Sequence, residues 1–132
     1  MKKIFVNGTF DILHRGHILL LNYAKSLGDQ LLVAIDSDRR VRELKGESRP
    51  INSVDDRKLF LYNLKSVDIV MIFDTDQDLI NLIKEYNPDI MIKGSDYKNK
   101  KIIGAEHCKE IIFMDLINGY STTNIIKSIT DR

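Results

Sequence analysis

Two histidines three positions apart, His14 and His17, lie in the run Gly8-Thr9-Phe10-Asp11-Ile12-Leu13-His14-Arg15-Gly16-His17 and are the residues best placed to do chemistry. Side chains at i and i+3 of a helix share a face, so imidazoles at this spacing reach one ligand. The run follows Ile4-Phe5-Val6, a short apolar stretch that reads as a buried strand closed by the turn residues Asn7-Gly8. A helix is predicted next: Leu20, Leu21, Ala24 and Leu27 recur at helical spacing after Gly16, and Gly28 is the stop. A strand-to-helix turn offers unpaired amides at the positive end of a helix. Gly8 permits close backbone approach there and Gly16 leaves room beside the rings, a combination suited to phosphate. Fixed donors stabilise the charge that builds on phosphate oxygens during an in-line displacement, without a covalent nucleophile. By spacing alone, surface or helix-capping histidines are the commoner explanation. A zinc site is a further one, and its third ligand would come from His107, Cys108 or distant carboxylates. The position between strand and helix favours phosphate.

The elements that position this run alternate along the chain. Gln30 to Ile35 is apolar on successive positions, as in a parallel strand covered on both faces. Arg39 to Asn52 is charged, holds Gly46 and Pro50, and lacks an apolar stripe, so an irregular loop with at most a short helix is expected. Phe60, Leu61 and Leu64 mark a helix, Val67 to Phe73 a third strand, and Leu79, Leu82, Ile83 and Tyr86 a helix ended by Asn87-Pro88. Ile90-Met91-Ile92 supplies a fourth strand, a polar glycine-containing loop and a weaker helix between Ile102 and Lys109 follow, and Ile111 to Met114 is the fifth strand. A last helix should start after Gly119-Tyr120 with Ser121 as N-cap, turning Ile125, Ile126 and Ile129 inward. The expected fold class is therefore α/β: a single Rossmann-like domain over residues 1–132, its five-stranded parallel sheet carrying helices on both faces. Ligands of such sheets bind at the carboxyl ends of the strands.

Composition narrows the partners. A formal charge of +1, from 20 basic and 19 acidic residues mixed along the chain, leaves no polybasic stripe for nucleic acid. The single cysteine excludes an internal disulfide and fits a cytoplasmic location. No apolar run approaches a signal peptide core or a membrane span, so no membrane partner is expected.

The segment Gly8 to Asp11 followed by His14-Arg15-Gly16-His17 closely resembles the motif of the cytidylyltransferase-like, or HxGH, nucleotidyltransferases. Ser121-Thr122-Thr123 resembles the serine-threonine motif that these enzymes place at a late helix start, where hydroxyls and free amides donate to nucleotide phosphates. Within the superfamily the chain is most similar to the adenylyltransferase domain of bacterial heptose-activating enzymes. Leu44 to Asn52, Ile92-Lys93-Gly94-Ser95-Asp96-Tyr97 and Ser121 to Ile129 carry that narrower match.

This resemblance implies transfer from ATP, with magnesium accompanying the nucleotide, to D-glycero-β-D-manno-heptose 1-phosphate or a related phosphorylated sugar. It implies that Thr9 and Phe10 contact the nucleotide through backbone groups and that His14 and His17 stabilise the transition state. Lys45 and Arg49 would bind substrate phosphate, with Lys45 also catalytic. Gly16, Asp96, Ser121, Thr122 and Thr123 would complete the nucleotide site, and no protein side chains are assigned to a metal. Asp11 is expected to orient the first loop rather than act as a base, because phosphate oxygens are already ionised. Leu116-Ile117-Asn118 stands where glycerol-phosphate cytidylyltransferases carry an arginine and an acid, which favours ATP over CTP. A homodimer and a separate upstream sugar kinase are further implications.

Overall fold

Runs of consecutive apolar residues become strands covered on both sides. The computed structural model describes residues 1–115 and 121–131. In chain order the elements are β1 (Lys3–Gly8), α1 (Arg15–Ser26), β2 (Gln30–Asp36), α2 (Asp38–Lys45), α3 (Val54–Tyr62), β3 (Ile69–Phe73), α4 (Asp76–Tyr86), β4 (Ile90–Gly94), β5 (Glu110–Met114) and α5 (Thr122–Thr130). Single 3-10 turns lie at Ser95–Tyr97 and Ala105–His107. All five strands pair in parallel, in the order β3-β2-β1-β4-β5. The order reverses between β1 and β4, and a doubly wound sheet opens its ligand crevice at the carboxyl ends of the strands flanking such a switch.

Alternation along each strand divides the core into two layers. Ile4 and Val6 of β1, Leu31, Val33 and Ile35 of β2, and Ile90 and Ile92 of β4 pack with Leu21, Ala24 and Leu61 from α1 and α3. Phe5, Leu32, Ala34 and Met91 face the other way, against Leu79, Ile83 and Tyr86 of α4, with Ile102 and Ile103 beside them. The expected α/β class with helices on both faces is what the chain forms.

Several boundaries differ from the sequence expectation, each for a physical reason. The charged stretch after Ser37 forms α2, although Val41 is its one buried residue. Ser37 caps it, and ion pairs replace an apolar stripe: Arg39 with Glu43 and Asp74, Arg40 with Asp36 and Asp76. In α3 the buried positions are Arg57 and Leu61, while Phe60 is 43% exposed and Leu64 lies beyond the helix end. The third strand begins at Ile69: the Val67 amide is spent in a turn on Leu64, and Asp68, though its amide bonds the Leu31 carbonyl of β2, lies in a bend before the ladder. Gly104, at φ +79°, breaks the segment expected to be helical between Ile102 and Lys109 and leaves one 3-10 turn. Ile129 points to solvent at 65% exposure, not to the core. Strand β4 runs two residues further than the apolar run, so Lys93 and Gly94 belong to it.

Candidate active site

Strand β1 delivers the chain to a turn built around Phe10. Its φ of +50° is a left-handed conformation, and its ring folds back over Gly8, where a Cβ would lie 2.9 Å from the ring edge. The Phe10 ring also packs against His17, with centroids 4.9 Å apart. His14 is the N-cap of α1 and accepts the Gly16 amide at Nδ1, 3.1 Å away, so its neutral ring carries the hydrogen on Nε2. The His14 and His17 rings stack at 3.7 Å and 23°. Burial, then the neighbouring His14 and Lys45 charges, push the His17 pKa down to about 4, and burial lowers His14 as well. Both rings are therefore uncharged at neutral pH.

A buried polar lattice holds this turn. Asp11 accepts the amides of Ile51 and Asn52 and the Nε of Arg49, the last at 3.1 Å. Burial by itself raises the Asp11 pKa, but these donors outweigh it and keep the carboxyl below its usual range. Arg57, fully buried, donates to the Thr9 and Asn52 carbonyls at 3.0 and 3.1 Å and to the Asp38 carboxylate at 2.8 Å. The loop reaching the histidines is thus fastened to α2, α3 and the residues before α3. Asp11 orients the loop, as its position predicts. Arg57 was not anticipated, although an arginine four residues before the core residue Leu61 was its visible sign.

A cavity of about 280 Å³ opens on this turn. Thr9, Phe10, His14, Gly16 and His17 line it from the β1–α1 side. Lys45 at the end of α2, Arg49, and Ser121, Thr122 and Thr123 at the start of α5 also line it. Of the residues the motifs point to, only Asp96 is placed elsewhere, exposed on the turn Ser95–Tyr97. Ser121 caps α5 through the Asn124 amide, as expected, and the Thr122 hydroxyl bridges both backbone groups of Ile12. Gly119-Tyr120 and Leu116-Ile117-Asn118 lie outside the described residues.

The electrostatics suit an anion. Helices α2, α3 and α4 carry aspartates in their first turns, whereas α1 and α5, whose N-termini meet at the cavity, carry none. Their positive ends remain uncompensated. Two buried donor-capable atoms on the lining, Nδ1 of His17 and Nη2 of Arg49, have no hydrogen-bond partner among the described residues. Buried polar atoms are normally satisfied, and phosphate oxygens satisfy both kinds. No three of the histidine, cysteine and acidic side chains gather at a metal-binding distance among the described residues, and neither His107 nor Cys108 lines this cavity. The Asp11 carboxylate is occupied by its donors, which leaves Asp115 as the other acid on the lining.

A parallel sheet whose switch-point crevice ends in stacked imidazoles and two uncompensated helix starts defines an enzyme that handles nucleotide phosphates. The cytidylyltransferase-like family profile matches residues 5–128; the chain belongs to that family and is a nucleotidyltransferase. It is 52% identical over 126 residues to the bifunctional protein HldE of Campylobacter fetus and 48% identical over 128 residues to that of Helicobacter pylori strain P12. These matches cover 96% and 97% of this chain, which spans 27% and 28% of those relatives. Among solved structures, the lipopolysaccharide core biosynthesis protein of Thermoplasma volcanium superposes with a TM-score of 0.74 at 28% identity, covering 89% of this chain and 99% of that one. A protein of unknown function from Archaeoglobus fulgidus shares the fold, with a TM-score of 0.65 at 19% identity over 92% and 94% of the two chains. No described helix is long and apolar enough to cross a membrane.

Proposed function

We propose that residues 1–132 form an adenylyltransferase unit that joins ATP to D-glycero-β-D-manno-heptose 1-phosphate, releasing pyrophosphate and an ADP-sugar. The observation that carries this reading is the convergence of His14, His17, Lys45 and Arg49 with the Ser121-Thr122-Thr123 helix start on one cavity. An oxygen of the sugar phosphate attacks the α-phosphorus of ATP, and the bond from that phosphorus to the bridging oxygen breaks, its electron pair leaving with pyrophosphate. His14 and His17 donate to the oxygens on which charge accumulates, and Lys45 and Arg49 draw the two anionic substrates together. The amides and hydroxyls at the start of α5 hold the nucleotide phosphates. Asp96 is assigned to the ribose on its motif alone. Magnesium bound to the nucleotide neutralises part of the phosphate charge. A sugar kinase acting beforehand supplies the 1-phosphate, the enzyme works in the cytoplasm, and a homodimer belongs to the same reading.

Purified protein incubated with ATP, magnesium and the heptose 1-phosphate should release pyrophosphate. Release only with CTP and glycerol 3-phosphate would replace this reading by a cytidylyltransferase. Nucleotide-dependent thermal stabilisation without any product would leave a binding module.

A further inference from the structure

A second cavity, of about 370 Å³, opens at the carboxyl ends of β1, β2 and β4 and meets the first at Thr9, Leu20 and Lys45, which line both. Its floor continues the inner strand positions that carry Phe5, Ala34 and Met91 in the core. Two residues further along each strand those positions become Asn7 on β1, Asp36 on β2 and Lys93 on β4, three neighbours across the switch point. An asparagine, a carboxylate and an ammonium replace apolar side chains where the core would otherwise extend. Folding alone does not call for such a substitution, since buried polar groups cost stability unless they are satisfied.

Asp36 is 7% exposed and accepts Nε of Arg40 at 3.1 Å. Lys93 donates to Oδ1 of Asn7 at 2.9 Å, and its ammonium lies 4.9 Å from the centre of the Tyr97 ring. An ammonium has three donors, and among the described residues only Asn7 takes one as a hydrogen-bond acceptor. Burial lowers the Lys93 pKa against the pull of Asp36 and Asp96, which marks the ammonium as incompletely compensated. Carboxylate, carboxamide and ammonium together accept, exchange and donate hydrogen bonds, as vicinal hydroxyls require. Phe73, Leu79 and Ile103 on the same lining offer apolar surface for the carbon face of a ring. The buried Asp36 carboxylate disfavours a phosphate dianion at this depth, whereas Lys45 at the junction favours one.

We propose that this cavity receives the hydroxyl-bearing body of a sugar phosphate, read by Asn7, Asp36 and Lys93, while the phosphate stays at Lys45 beside the histidines. The role as acceptor subsite rests on the transfer reading above, but the binding itself is independent of turnover. Such an acceptor reaches from the ends of β2 and β4 past Thr9 at the end of β1 to Lys45, presenting its phosphate to the nucleotide.

Isothermal titration of the full chain with mannose 1-phosphate, with and without a non-hydrolysable ATP analogue, tests this. Lys93→Met should weaken the sugar phosphate about tenfold or more, the loss expected for a hydrogen bond to a charged group. Binding of the ATP analogue should stay within about twofold, and chemical-shift titration with inorganic phosphate should be unchanged on the same scale. If Lys93→Met fails to bind the analogue or melts early, the near-isosteric Asp36→Asn replaces it, with the same selective loss expected. Unchanged sugar phosphate affinity, equal loss of inorganic phosphate, or no binding of sugar phosphate to the unaltered protein overturns the proposal. Lys93-dependent binding of mannose 1-phosphate, together with no pyrophosphate release from ATP, magnesium and the heptose 1-phosphate, would uphold this subsite and sink the transfer reading alone.

Discussion

The Asp11 carboxylate and the Arg49 guanidinium meet at 3.1 Å with both side chains largely removed from solvent, pinning the loop before α1 to the loop before α3. The pair leaves Nη2 of Arg49 buried without a partner among the described residues, so one arginine both fastens the loop and lines the cavity. Asp11→Ala removes the acceptor of two backbone amides as well as the ion-pair partner. A buried pair broken on one side costs about 3 to 5 kcal/mol. Thermal and urea unfolding should show a loss of that order. A loss below about 1 kcal/mol, the worth of a surface pair, would mean that the lattice does not hold the loop.

His17→Ala removes one of the two stacked imidazoles and opens space beside Phe10. Because the ring is uncharged in the free protein, its contribution is a directed hydrogen bond rather than a fixed charge. Losing one such donor costs about 10² to 10³ in turnover. Steady-state pyrophosphate release should fall by that factor while circular dichroism stays unchanged; undiminished turnover would remove His17 from the reaction.

Much of this site was legible in the sequence because its residues come in short runs fixed by one turn each. Gly8 to His17 spans a single strand-to-helix turn, and Ser121 to Thr123 a single helix start, so local spacing already gave their mutual placement. Arg57, Asp36 and Lys93 were not legible, because what makes them special is burial created by distant segments. Arg57 meets Thr9 and Asp38 only once α3 docks, and Asn7 meets Lys93 only because β4 pairs with β1 across 86 positions. Helix α2 could be expected only as a short helix of open bounds for a related reason: beside the internal Arg39–Glu43 pair, its arginines pair with Asp36, Asp74 and Asp76, acids that lie outside it. Apolar periodicity says nothing of such partners.

The depressed His17 pKa makes stability depend on pH in a defined window. The unfolded histidine binds a proton near pH 6.5, whereas the folded one resists until about 4. Below pH 6.5 the unfolded state therefore holds more protons, and stability falls as pH drops from 6.5 toward 4. The full effect is on the order of 3 kcal/mol. Asp11, whose folded pKa is also depressed, adds a further loss at more acid pH. Unfolding midpoints measured from pH 7 to 4 should decline for the unaltered protein and flatten in His17→Asn. Parallel curves would assign the decline elsewhere.

Thr122 ties the start of α5 to the loop before α1 on the cavity wall, and its replacement separates positioning from folding. Its hydroxyl donates to the Ile12 carbonyl at 3.2 Å and accepts the Ile12 amide at 3.4 Å, fixing the start of α5 against the loop that carries His14. Thr122→Val keeps the volume but leaves both Ile12 groups unmatched, at a cost of about 1 to 3 kcal/mol. If α5 supplies phosphate donors, a looser N-terminus also weakens nucleotide binding. KM for ATP should then rise about fivefold or more, a shift of about 1 kcal/mol. Ser121→Ala is the control: it loses the Asn124 cap, worth about 1 kcal/mol of stability, without detaching α5 from Ile12. A larger KM effect in Thr122→Val than in Ser121→Ala, at equal loss of melting temperature, assigns Thr122 to positioning. Equal KM effects would reduce the Ile12 bridge to a fastener of the fold.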